Sequence, residues 1–158
     1  MRIVSMKVNH SFLLFFLITL FCACTPKNIY YSTFSTTAIA NKGMGAYVLR
    51  VQGVGQTYQQ AKEDAMRKAV YDIIFKNVSS SYGEHRMIQP VLSNPLTEQQ
   101  HADFFGSFFS AGGDYLKFVH ELRLEKDKFK PQARRGVIMN VAVNRAALAK
   151  YLADNQIF

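Results

Sequence analysis

Cysteine is almost missing from this sequence. Of 158 residues only Cys22 and Cys24 carry a thiol, and both sit near the amino terminus. If the chain is cut after Ala23, no thiol remains beyond the new first residue. Internal disulfides and cysteine metal sites are then excluded from the body of the protein. Tryptophan is absent and proline occurs four times. Acidic side chains are also scarce, 11 against 19 basic ones, and none precedes Cys24. The longest apolar run, Phe12 to Phe21, has ten residues, where a spanning helix needs about 20. Catalytic signatures are missing as well. There is no Gly-x-Ser-x-Gly elbow and no Ser-x-x-Lys, and no two histidines stand three or four residues apart as a helical metal pair would. No cofactor, metal site or catalytic residue is expected, and the chain reads as a non-enzyme.

What is present begins with the leader. Arg2 and Lys7 give a positive start, the apolar run follows, and Cys22-Ala23-Cys24 supplies a small-residue step, the layout of a secretory signal. Phe21-Cys22-Ala23-Cys24 resembles a bacterial lipobox, with Phe21 where leucine is usual. Removal of residues 1–23 would leave Cys24 to carry acyl chains, and two or more chains make anchoring durable. A plain signal peptide and an uncleaved anchor are the competing readings. Loss of Arg2 and Lys7 leaves 17 basic against 11 acidic residues, a net +6. That surplus suits anionic headgroups or acidic envelope polymers, and export removes nucleic acid from consideration. No acidic cluster follows Cys24. In Bacteroidales-type lipoproteins such a cluster resembles a surface-export signal, so its absence points to an outer-membrane protein facing the periplasm.

Residues 24–45, rich in Ser and Thr and ending Asn41-Lys-Gly-Met-Gly45, read as a flexible tether. Residues 46–158 read as one domain, a length that supports a single core. Tyr47 to Gly53 alternates as a strand, and Thr57-Tyr-Gln-Gln60 matches a helix-capping box. Behind it Ala61, Ala65, Ala69 and Ile73 form one i, i+4 row and Met66, Val70 and Ile74 the next. The small alanines let this helix sit close to a sheet. Thr97-Glu-Gln-Gln100 looks like a second capping box, opening a helix to about Ser110. Tyr115 to Glu125 alternates, with Leu116, Phe118, His120, Leu122 and Leu124 on one face. Lys126 to Ala133 reads as a loop and Gly136 to Val143 as a strand. Asn144 caps a last helix, and residues 156–158 suit a short final strand. The fold class expected is α+β: a small antiparallel sheet with helices packed on one face, in the order β-α-(α)-β-β-α.

Val51-Gln-Gly-Val-Gly55 leading into a helix with alanines at 61, 65 and 69, and a late strand running into Asn144-Arg-Ala-Ala-Leu148, resemble the amino-terminal domain of flagellar assembly protein T and small Bacteroidales-type lipoproteins related to it. The likeness spans about residues 46–155 and does not extend to the Phe-rich stretch at 97–110. It implies a non-catalytic role in envelope assembly and transfers no catalytic residue. Gly53-Val-Gly55 is not a dinucleotide turn, because Tyr58 occupies the place of the third glycine and no acidic residue ends a second strand.

Two clusters are candidate partner-binding surfaces. Phe104, Phe105, Phe108 and Phe109 would form a wide aromatic helix face, which is either core or an exposed interface. Lys126, Lys128, Phe129, Lys130, Arg134 and Arg135 concentrate positive charge around one hairpin loop, which is either a solvated turn or a contact for anionic headgroups. The function expected is that of an accessory or structural lipoprotein, attached to the membrane through Cys24 and working by contact with envelope proteins. The alternative is a binding module for peptidoglycan or anionic lipid.

Overall fold

The computed structural model describes residues 35–83, 87–122, 127–130 and 134–158. Cys24, Tyr30, Tyr31, His85, Leu124 and Lys126 lie outside them. In chain order the elements are β1 (Thr37–Asn41), β2 (Ala46–Gly55), α1 (Tyr58–Phe75), β3 (Val78–Ser80), β4 (Met87–Ile88), α2 (Thr97–Gln100), α3 (Ala102–Phe108), a 3-10 turn (Asp114–Phe118), β5 (Val119–Glu121), β6 (Asp127–Phe129), β7 (Arg135–Asn144) and α4 (Arg145–Asp154).

The fold is α+β. Its two long strands, β2 and β7, pair antiparallel along their whole length, from Ala46 opposite Asn144 to Gly55 opposite Arg135. They form the middle of a seven-stranded sheet in the order β4-β3-β1-β2-β7-β5, with β6 beside the first half of β7. The β1–β3 pair is parallel, which makes the sheet mixed rather than purely antiparallel. Between β2 and β3 the chain passes through α1, and β3 pairs on the far side of β1 from β2.

Alternation along the central ladder sends Leu49, Val51, Val137, Met139 and Val141 to one face, all buried. There α1 lies. Its row of Ala61, Ala65, Ala69 and Ile73 is fully buried, as is Val70-Ile74 beside it. The approach is close enough that a Cβ built on Gly53 would stand 2.0 Å from the Ala61 carbonyl oxygen. Short side chains on both sides of this contact allow the helix to sit so low. The capping box at Thr57 and Gln60 is present in both directions, so the two polar side chains satisfy amides at the helix start. β1 ends its pairing at Thr37 opposite Arg50, and beyond that point the Val54 amide donates to Asp64 instead (2.9 Å). The remaining helices share the core of α1, with Leu148 and Leu152 of α4 and Phe105 and Phe108 of α3 all buried.

Six expectations need correcting. Part of the stretch read as tether is structured: Thr37–Asn41 is a strand, and Ala38 is fully buried in the core. Threonine and isoleucine suit a pleated surface as well as a linker. The glycines beside them form a hairpin turn, in which Gly43, Met44 and Gly45 all take positive φ and the Asn41 side chain accepts from the Gly43 amide (2.8 Å). The second helix is two pieces, α2 and α3, broken at His101, and Thr97 is its buried first residue rather than a cap. Residues 115–125 are not one strand. Tyr115 and Phe118 are buried by the 3-10 turn, leaving Leu116 exposed, and among the described residues of this stretch Val119–Glu121 is the part assigned as a strand beside β7. His120 lies opposite Ala142, on the sheet face away from α1, and is exposed rather than core. The loop read at 126–133 contains β6, whose Lys128 pairs with Val137. Residues 156–158 form no strand: Gln156 turns back in a left-handed conformation and the Ile157 amide bonds to Leu152.

Candidate functional site

Two of the four phenylalanines lie in the core and two pack against it. Phe105 and Phe108 are 4% and 3% exposed, and Phe104 and Phe109 are half-buried against the core. Phe105 meets Phe75 of α1 edge-on at 5.0 Å, and Phe109 reaches Tyr71 and Tyr115. Phe108 stacks toward Phe118 and lies 5.9 Å from Tyr151 of α4. This aromatic layer joins α1, α3, the 3-10 turn and α4, each pair contributing about 0.5–1.5 kcal/mol beyond its buried area. It takes the place of the exposed patch that the spacing allowed.

The basic cluster is different. Lys128 and Lys130 are exposed, while Arg134, Arg135 and Phe129 are half-buried. Pairing fixes their directions. Lys128 opposite Val137 and Arg135 opposite Gly55 both face the α1 side. There the Lys128 amino group lies 5.1 Å, and the Arg135 guanidinium 6.0 Å, from the ring centre of Tyr58 at the start of α1. Phe129 faces the other way and lies over Gly136, where any Cβ would strike its ring. Asp127, beside them, is held by Arg50 at 3.0 Å. Sequence spacing assembled the hairpin residues but missed Tyr58, which lies 70 positions from Lys128. Only the β2–β7 register joins them.

Two further polar groups escaped the sequence reading. Asp72, 3% exposed on α1, receives Lys68 Nζ at 2.6 Å and Lys76 Nζ at 3.1 Å, and the Thr36 hydroxyl donates to it. Lys68 also donates to the Thr36 oxygen at 3.0 Å. The i, i+4, i+8 spacing of Lys68, Asp72 and Lys76 was the signal available. The Tyr151 hydroxyl donates to Asp114 (2.6 Å), which Lys117 also holds (2.8 Å). The Lys117 and Tyr151 hydrogen bonds keep the Asp114 carboxyl below the usual carboxylate range. The same Asp114 contact pushes Tyr151 up to about 12, because ionising the phenol would set two anions together.

A shallow cavity of about 400 Å³ opens between Val91, Leu92, Thr97, His101 and Ile157, and its lining includes no charged side chain. Among the described residues no three His, Cys, Asp or Glu side chains gather closely enough to hold a metal ion, and no helix is long and apolar enough to cross a membrane. The surface that stands out is therefore the basic end of the β6–β7 hairpin with Tyr58. The whole is an α+β domain with an internal aromatic layer and a cationic, aromatic-flanked end. Comparison with protein-family models, curated proteins and solved structures finds no significant match.

Proposed function

We propose that the chain is a lipid-anchored protein of the bacterial cell envelope, without catalytic activity, that works by contact as an accessory or structural component. Cleavage after Ala23 places Cys24 at the amino terminus. Acyl chains on its sulfur and amino group then hold the domain at a membrane, with the outer membrane facing the periplasm as its location. The observation that carries this reading is the leader: a positive start, ten apolar residues, and Cys22-Ala23-Cys24. The non-catalytic role is in keeping with the resemblance to the flagellar assembly domain. It is supported by the way two carboxylates are employed, the buried Asp72 and the part-exposed Asp114. Asp72 and Asp114 are each held by neighbours of their own fold, and tie segments together.

A second reading, that the domain binds an anionic envelope ligand, is favoured by one observation. The basic hairpin stays at the surface with Tyr58 between Lys128 and Arg135, whereas the aromatic helix does not.

The anchor is tested by metabolic labelling with an alkyne-bearing fatty acid. The protein is expected to take the label and to fractionate with membranes, and Cys24→Ser to lose both. An unlabelled protein, or a serine variant that fractionates as before, removes the premise.

A further inference from the structure

Three segments of the chain meet around the cavity beside α2, each fixed by backbone hydrogen bonds. The Val91 and Leu92 amides donate to the Ile73 and Ile74 carbonyls (3.0 and 2.9 Å), which lie in the last turn of α1. The Asn94 side chain then accepts from the Leu96 amide (3.0 Å) and turns the chain into α2. From the other direction the Ile157 amide donates to the Leu152 carbonyl (3.0 Å) after the left-handed Gln156, and Phe158 comes to the rim. Leu92 and Ile157, 5% and 3% exposed, give the cavity an apolar floor.

The polar groups around this floor are not used by the fold. Ser93, Thr97, Gln100 and His101 line the cavity, and among the described residues their side chains take no hydrogen-bond partner. Thr97 is 6% exposed, and a hydroxyl so enclosed is ordinarily bonded. Hydroxyl, amide and neutral imidazole groups can each both donate and accept. Phe158 adds a ring that is 71% exposed.

These properties select a class of ligand. A phosphate, carboxylate or ammonium group would find no opposite charge in the lining. An acyl chain would stay largely in water, because the cavity is shallow and its rim polar. A sugar ring suits every part. Its hydroxyls donate and accept, the C–H bonds of one ring face can stack on a phenyl ring, and an acetamido methyl suits a small apolar floor. The volume, about 400 Å³, falls within the usual range for small ligands, about 300–1,000 Å³.

We propose that this cavity binds an uncharged saccharide carrying N-acetyl groups. The sugar face lies on Phe158, an acetamido methyl meets Leu92 and Ile157, and hydroxyls bond to Thr97, Gln100 and His101. The site shares no residue with the basic hairpin and does not rest on the lipid-anchor reading.

The test titrates the full chain, nitrogen-15 labelled and kept in a detergent without a sugar headgroup, with di-N-acetylchitobiose. Amide resonances of Leu92, Asn94, Thr97 and His101 and of the Gln100 side chain are expected to shift, with a dissociation constant on the order of 1 mM. Cellobiose, which lacks the acetamido groups, is expected to bind about tenfold more weakly. Phe158→Ala and Gln100→Ala, both at exposed positions, are expected to keep the parent spectrum away from the cavity and to weaken binding about three- to tenfold each. No shift at these amides with about 20 mM ligand overturns the proposal. So do equal affinity for cellobiose, parent-like binding by both variants, or shifts produced by acetyl-trialanine amide but not by the saccharide. Cys24→Ser is expected to bind the saccharide like the parent, so a failed anchor and a failed sugar site are read separately.

Discussion

Replacing Gly53 by alanine tests the central packing of the domain. The added methyl would stand 2.0 Å from the Ala61 carbonyl oxygen, 2.4 Å from the Ala65 amide nitrogen and 2.8 Å from the Ala65 methyl. The two shortest contacts are to helix backbone, which no change of rotamer can move. Relief requires α1 to rise by roughly 1 Å from β2 and β7. A gap of that order forfeits about a quarter to a half of the contact energy across it. The side chains that α1 buries most deeply include Val70, Ile73 and Ile74, each worth about 1.5–3 kcal/mol when buried. Their share of the loss is about 2–3 kcal/mol, and residual strain adds about 1–3 kcal/mol. The entropy that alanine removes from the unfolded chain offsets only about 0.4–1 kcal/mol. The expected net loss is about 4 kcal/mol, a large part of a typical stability of about 5–15 kcal/mol, with Tm lower by roughly 15 °C. Urea unfolding followed by far-ultraviolet circular dichroism measures it. Gly106→Ala is the control: nothing lies within 4 Å of a Cβ there, and removing an exposed helix glycine is expected to add about 0.5–1 kcal/mol. A Gly53→Ala protein within about 1 kcal/mol of the parent would refute this account of the helix–sheet contact.

Phe105→Ala is expected to lose about 3–5 kcal/mol in the same assay because Phe105 belongs to the core; a neutral result would return the aromatic helix to the surface. Asp72→Ala strips Lys68 and Thr36 of their acceptor and is expected to destabilise the domain by about 2–3 kcal/mol. It also loosens Thr36, read as faster amide exchange across Thr37–Asn41, and unchanged exchange would show that β1 holds without the clamp. Tyr151 is expected to ionise near pH 12 when followed by ultraviolet absorbance, with Asp114→Asn bringing that step down toward the ordinary value. Because its proton is held more tightly in the folded state, this tyrosine contributes stability below about pH 10, and that contribution disappears as pH rises toward 12. A Tyr151→Phe protein is expected to lose less stability across that window, and an identical decline in both proteins would count against the Asp114 contact.

Local signals settled a good deal. The period of Ala61, Ala65, Ala69 and Ile73, the Thr57–Gln60 box and the alternation at 47–53 and 136–143 each depend on neighbours within one element, so β2, α1, β7 and α4 could be read directly, together with the α+β class. The hairpin cations could also be listed, since they are consecutive in the chain. The tertiary structure decided what depends on distant partners. β1 is a strand because β2 offers an edge and the core a place for Ala38; its own composition suits a linker equally well. Whether four phenylalanines lie inside or outside turned on Phe75, Tyr115, Phe118 and Tyr151 meeting them, and no periodicity within residues 97–110 contains that information. Tyr58 joins Lys128 and Arg135 only through the pairing of Gly55 with Arg135, a contact across 80 residues of chain. Hydrogen-bonding and helical periods are local properties and are written in short stretches of sequence. Burial and the company of a charge are properties of the assembled sheet, and are fixed only when its strands find their register.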